Sequence, residues 1–285
     1  NIHIDKDALL RSGIMFPKTI RHLKGEDLKD AIPDKLYIPL TDIRMLTKVD
    51  LLMLEMLANC NWERPLYLAI SVGSVSKLKF DNYFVQEGLA FRFTPFDYKK
   101  WGDVGENRLY AVDVERLYDN VMNRYKYGGL DTPGLYLDET TLRTCWYHRR
   151  LFAQLAKELI AQGDNERAKK VLAYAEQVIP GYNVPETHES GSYDIATAYA
   201  ALGEKTKAVT LAVHLIAEAE DYINWAFSLK GNRIEMVRND CIYKFWQWNQ
   251  YNELLKKIDG EKYKESNRRF EEKYALFAPT MNYKN

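Results

Sequence analysis

Hydrophobic positions in the first part of the chain follow two alternating rhythms. Ile2 to Ile4 and Leu36-Tyr37-Ile38-Pro39-Leu40 read as short strands, and Pro39 places the second at a sheet edge or a strand end. Thr47 supplies an N-cap with Asp50 three residues on. Val49, Leu52, Met53, Met56 and Leu57 then recur at helical spacing up to Asn59. After Pro65, Leu66 to Ile70 is a continuous apolar run, which predicts a strand buried on both faces and ended by Gly73. A second helical piece is expected over Asn82 to Gln86, followed by a strand in which Leu89, Phe91 and Phe93 alternate. The order βαβαβ predicts a small, mostly parallel sheet with helices packed on it.

Asp97 to Asn107 is polar and reads as a loop. Asp113 to Lys126 then carries Val114, Leu117, Tyr118, Val121 and Tyr125 on one helical face, and Gly128-Gly129 stops it. Beyond residue 140 only the helical period remains. Leu151, Leu155, Ala156 and Leu159 form one face that ends at Gly163-Asp164, and Ala168, Leu172, Ala175 and Val178 form a second that ends at Pro180. Small residues where two helices cross, glycine at the turn and proline after the second helix resemble a tetratricopeptide repeat. The pattern returns as Ala196, Tyr199, Gly203 and Ala208, forty residues on, and the extra length is taken up by the loop Gly181 to Ser190. Tyr222 to Leu229 is expected in a third helix pair, and Asp240 to Ile258 and Ser266 to Phe277 in terminal helices that cap the stack. The expected fold class is α/β followed by all-α. A small α/β domain is placed at 1–110 and a helical domain at 111–285, with hairpins at about 148–180 and 190–220. The α/β domain is expected to cap one end of the repeats.

Composition narrows the function. The 285 residues are enough for two domains that bury roughly three quarters of their unfolded surface. Forty basic residues balance forty acidic ones, so no global field recruits nucleic acid or an anionic surface. The three cysteines, Cys60, Cys145 and Cys241, form no CxxC pair and read as small buried hydrophobes. No apolar run reaches the roughly 18 residues a membrane helix needs. The chain opens Asn1-Ile2-His3-Ile4-Asp5 without a starting methionine or a signal-peptide core, and the expectation is a portion of a longer protein.

Candidate chemistry is sparse. His3, His22, His148, His188 and His214 form no HExxH or HxH arrangement, so no metal site is expected. Ser71 to Ser76 follows a strand but lacks both glycine-rich phosphate-loop spacings, and no GxSxG elbow occurs, so no cofactor and no catalytic residue is assigned. In Asn59-Cys60-Asn61-Trp62-Glu63-Arg64-Pro65-Leu66-Tyr67, Trp62 and Arg64 together with Arg92 are a candidate crevice at the strand ends; packing of Trp62 and a tight helix-to-strand junction is the favoured reading. Tyr243, Phe245, Trp246, Trp248 and Tyr251 crowd into one short segment. Core packing is the favoured role for them, a partner surface through Tyr243, Trp246 and Trp248 the second, and glycan stacking the third.

Three blocks carry a resemblance. Ala58 to Tyr67 resembles a "NNWKRPIYF"-like block, Gly88-Leu89-Ala90-Phe91-Arg92-Phe93-Thr94-Pro95 a "GLxYRLxP" block, and Tyr136-Leu137-Asp138-Glu139 a "YxDE"-like segment. These belong to the C-terminal soluble part of the bacterial domain-of-unknown-function 2723 membrane proteins, a family similar to protein O-mannosyltransferases. The resemblance implies that catalysis lies in a membrane portion upstream, that this chain is a non-catalytic accessory domain on the periplasmic face, and that its helical repeats engage an acceptor or partner protein. Glu63 stands where a basic or polar residue is expected and Phe91 where a tyrosine is, which weakens the block as a polar binding site. Two alternatives remain at this level. One is a free-standing glycan-binding repeat protein; the other is an independent α/β enzyme with a site near Gly73 and Arg92.

Overall fold

The computed structural model describes residues 1–38, 40, 43–72, 80–104, 110–229 and 233–281. The chain forms two compact units, Asn1–Tyr125 and Lys126–Asn285. A small mixed sheet region is followed by a mostly helical part, so the α/β-then-all-α class holds. Pro39 and Gly73 lie outside the described residues.

In the first unit, β1 (Ile2–His3) pairs antiparallel with β2 (Lys35–Leu36), and α1 (Lys6–Arg11) and α2 (Gly25–Ala31) fill the connection. The expected cap at Thr47 is a full capping box at the head of α3 (Lys48–Asn59). The Asp50 amide donates to Thr47 Oγ1 at 3.2 Å while the Thr47 amide donates to Asp50 Oδ2 at 2.7 Å. The four strands β3 (Tyr67–Ala69), β4 (Phe84–Gln86), β5 (Ala90–Phe93) and β6 (Ala111–Val112) lie in the order β3-β5-β4-β6. β3 and β4 both run antiparallel to β5, and only β6 runs parallel to β4.

The mostly parallel sheet expected from the βαβαβ order is thus a mixed one. The helix expected over Asn82 to Gln86 is a 3-10 turn, Asp81–Tyr83, running straight into β4. With no crossover helix there, Glu87, Gly88 and Leu89 join β4 to β5, and a three-residue link permits only an antiparallel hairpin. The strand expected to be buried on both faces is the sheet's edge, with Tyr67 and Ala69 exposed. Edge placement suits a strand entered through Pro65, which has no N–H to offer a neighbour. Helix α4 (Val114–Asp119) continues as a π-turn over Asn120–Arg124 and buries Val114, Leu117 and Val121, the face read from the sequence.

In the second unit, α5 (Glu139–Ala161) and α6 (Asn165–Val178) form a helical hairpin, and α7 (Ser192–Ala201) and α8 (Lys205–Ser228) form another. The two turns share one geometry. Gly163 and Gly203 have φ of 80° and 79°, a left-handed conformation that costs glycine nothing. The next amide, of Asp164 or Glu204, then donates to Leu159 O or Tyr199 O at 2.9 Å. Ala156, Ala168, Ala196 and Ala208, at equivalent positions, are all fully buried, which lets paired helices approach closely.

Of Tyr222 to Leu229, expected in a third pair, Tyr222 to Ser228 instead forms the last turns of α8, and Leu229 is its extended C-cap. After the single turn α9 (Arg233–Met236), α10 (Arg238–Ile258) packs on α8, and α11 (Gly260–Met281) packs on α10. Their shared core is aromatic, built on Phe245, Trp248, Tyr251 and Phe277 with Ile216 and Ile223 of α8.

Candidate functional site

A concavity lies between the two hairpins of the helical unit. It encloses about 520 Å³ and is walled by α6, α7, α8 and the loop from Ile179 to Ser190. That volume falls within the ~300–1,000 Å³ range of ligand-binding clefts. Leu172, Ala175 and Ile179 form a buried apolar floor. Thr206, Thr210 and His214 of α8 stand exposed at the rim.

One wall is a fixed polar cluster. The Tyr199 hydroxyl donates to Glu176 Oε1 at 2.5 Å, and Lys207 Nζ donates to both Glu176 oxygens at 2.9 and 2.8 Å. The same ammonium lies 5.0 Å from the centroid of the Tyr199 ring. Burial, reinforced by the Glu176 bond, pushes the Tyr199 hydroxyl well above its usual 10, so it remains a donor at all physiological pH.

The loop wall is held by Arg149 of α5, a residue that sequence reasoning passed over. Only 3% of it is exposed. One terminal nitrogen donates to Pro185 O at 2.8 Å and to Ser190 Oγ at 3.2 Å. The other donates to Ile179 O at 3.0 Å and to Val184 O at 2.5 Å. Four acceptors from one loop thus converge on a planar guanidinium, which sets the course of the chain between the hairpins. Burial lowers the pKa of Arg149 below the usual guanidinium value, and Glu186 of the same loop pulls the other way. A signal was present: Cys145, Arg149, Phe152 and Ala156 are spaced 4-3-4 along α5, so a cation sits on the stripe that turns inward.

The aromatic segment divides. Trp248 is fully buried, and its Nε1 donates to Ser266 Oγ at 2.8 Å, which in turn donates to Asn252 Oδ1 at 2.6 Å. It belongs to the core and cannot meet a partner. Tyr243 and Trp246 point outward, 42% and 48% exposed, and stack on each other with centroids 5.6 Å apart and planes 14° apart. The His188 ring meets the edge of Trp246 at 5.3 Å, and its Nδ1 lies 2.7 Å from the Tyr251 hydroxyl.

In the first unit, Trp62 is buried. It stacks on Phe93 with centroids 6.3 Å apart, and its Nε1 donates to His3 O at 2.8 Å. Asn61 and Trp62 both have positive φ, 47° and 60°, which bends the chain sharply after α3. Arg64 is exposed. Arg92 is buried, donating to Ser12 O at 2.8 Å, with Nη1 3.7 Å from Glu87 Oε1. Glu87 also accepts from Arg116 at 3.0 Å and from the Tyr67 hydroxyl at 2.9 Å. Trp62, Arg64 and Arg92 do border one void, of about 10 Å³, the room of roughly one water molecule.

Among the described residues no group of three His, Cys, Asp or Glu side chains is placed to hold a metal ion, and no helix is long and apolar enough to cross a membrane. Cys60, Cys145 and Cys241 are free thiols; Cys145 and Cys241 are buried and Cys60 half-buried. Residues 1–115 match the family model described as TMEM260-associated domain 2. That description places such a domain with a membrane protein and suggests an accessory role. No curated protein and no solved structure matches the chain.

Proposed function

We propose that this chain is a non-catalytic accessory part of a membrane-bound, glycosyltransferase-like protein and works on its periplasmic face. Its two hairpins are tetratricopeptide-like, and they hold a segment of an acceptor or partner protein in the groove between α6, α7 and α8. The observation that carries this reading is the groove itself: a concavity of about 520 Å³ with an apolar floor, beside the hydrogen-bonded Glu176–Lys207–Tyr199 cluster. Such a site offers an extended polypeptide both burial and hydrogen bonds. The match of residues 1–115 to a domain associated with TMEM260 supports the membrane-protein setting.

Thr210→Trp tests the groove, because an exposed rim position accepts a bulky side chain without disturbing the core. In the full-length protein, acceptor transfer or partner assembly is expected to fall while the melting temperature of this chain is unchanged. Undiminished transfer and assembly would sink the idea. A second reading, glycan binding, is favoured by the exposed Tyr243–Trp246 pair. It requires glycan-array binding by this chain that disappears in Trp246→Ala.

A further inference from the structure

About half of the large apolar side chains left exposed among the described residues fall between Tyr37 and Val72. Five of them belong to α3 and its approach: Met45, Val49, Leu51, Leu52 and Met56, with Met45 67% and Leu52 61% exposed. The helix already spends one face on the core, where Asp50 and Leu57 are buried and Met53 and Leu54 pack. Val49, Leu52 and Met56, spaced i, i+3, i+7, form a second apolar stripe on the outside, where a surface helix ordinarily carries polar residues.

Charge is distributed unevenly around this stripe. Arg44 and Lys48 are exposed at its N-terminal end. Asp50, the acid of the first turn, is withdrawn into the capping box and fully buried. Glu55 is the exposed acid, one turn further on. Aliphatic and methionine side chains predominate, and the stripe has none of the tryptophan, tyrosine or arginine anchors that concentrate energy in protein interfaces. A flat apolar strip with cations at one end is what a helix lying in the plane of a membrane interface presents.

We propose that α3 rests in the interfacial layer of a lipid bilayer, with Val49, Leu52 and Met56 entering the acyl boundary and Arg44 and Lys48 meeting lipid phosphates. This rests on the accessory-domain reading above for its membrane setting, and the stripe lies wholly within the residues that match the membrane-protein-associated domain. It adds a second attachment for this chain, by its own surface, to the bilayer.

The 285-residue chain is mixed with phosphatidylcholine vesicles, with and without a minority of phosphatidylglycerol, and floated on a density gradient. The chain is expected to rise with both, and more with the anionic vesicles. Leu52→Asp combined with Met56→Asp should weaken vesicle binding about tenfold or more, the factor that about 1.4 kcal/mol of lost transfer energy represents. Both positions are outward-facing, so circular dichroism of the double variant should match the parent. Arg44→Gln with Lys48→Gln should remove only the preference for anionic lipid. A chain that stays at the bottom of both gradients, or a double variant that floats as well as the parent, overturns the proposal. If the chain does not float but the double variant breaks a self-associated form, a second copy covers the face and the lipid proposal fails. If it does not float and the double variant instead loses co-purification with the full-length membrane protein, lipid is again the wrong occupant, while the accessory-domain reading survives. Flotation together with an inert Thr210→Trp has the reverse meaning: the lipid face stands and the groove reading falls.

Discussion

Replacing Arg149 by methionine sets two opposed effects against each other. The guanidinium is buried without a carboxylate bonded to it, a placement that by itself costs several kcal/mol of lost hydration. Against that stand its four hydrogen bonds to the loop between the hairpins. Methionine fills similar space and removes the charge, but leaves those acceptors behind. Pro185 is exposed, so its carbonyl can find water, and Ser190 Oγ keeps the Thr187 carbonyl and Ser192 Oγ as partners. The carbonyls of Ile179 and Val184 belong to residues almost wholly buried and have no such relief. Two stranded acceptors cost roughly 2–6 kcal/mol at about 1–3 kcal/mol each. Relief of the buried charge offsets part of this, and a net loss of about 2 kcal/mol is the central expectation.

Because the two units need not unfold together, local hydrogen exchange is the better assay than a single melting curve. Amides of residues 179–190 should exchange roughly thirtyfold faster in Arg149→Met, the factor equivalent to about 2 kcal/mol. Arg149→Lys should behave almost as badly, since one ammonium cannot span four acceptors held around a planar fork. Unchanged or slower exchange in Arg149→Met would show that desolvation outweighs the carbonyl cage, and that the loop is fixed by something else.

The two exposed-or-buried tryptophans of α10 should separate sharply. Trp248→Ala is expected to destabilise the helical unit by about 3–5 kcal/mol in denaturant titration, whereas Trp246→Ala should change it by less than about 1 kcal/mol. The pH response follows from His148 and His188, both held below their usual 6.5 chiefly by burial, with Lys244 acting the same way on His188 and Glu189 and Asp194 opposing. A histidine kept neutral in the folded state contributes stability that is complete above the unfolded value of 6.5 and is lost as pH falls through the lower folded value. The lowered carboxylates, Glu189 and Asp164 among them, act only below about their ordinary 4.5 and 3.8. Melting followed by circular dichroism should therefore decline between pH 7 and 5, and His188→Gln should flatten that decline; an identical slope would remove His188 as a cause.

The helical half was legible because its signals are local and repeated. Gly163 and Gly203, and the alanines forty residues apart, mark turns and crossings that the structure realises with nearly the same φ and the same hydrogen bond. The sheet was less so. A run such as Leu66 to Ile70 is equally apolar at an edge or in a sheet centre, and what decides is which strand pairs on which side, a long-range property. Residues Asp81 to Gln86 show the same limit, since one short stretch serves a turn and then a strand with no periodic signal in between. In the aromatic segment, Trp246 and Trp248 are two residues apart and so sit far round the helix from each other. Sequence could say that both would not face the same way, but not which one faced the core.

The block Asn59 to Tyr67 carries the resemblance, yet the groove that carries the proposed function lies in the other unit, and the physical reason is visible in Trp62. A bulky residue in the left-handed region costs about 1–3 kcal/mol and persists only where its surroundings over-determine it. Here the indole is held from two sides, by the Phe93 ring and by the His3 carbonyl, while Arg92 beside it is committed to Ser12 O and lies within ion-pair distance of Glu87. Every polar handle of Trp62 and the charged head of Arg92 are thus occupied from within the fold, and the void they border is no larger than a water. A set of side chains so fully engaged with one another has nothing left to offer a ligand. Its sequence is constrained by the sharp bend that turns α3 toward β3.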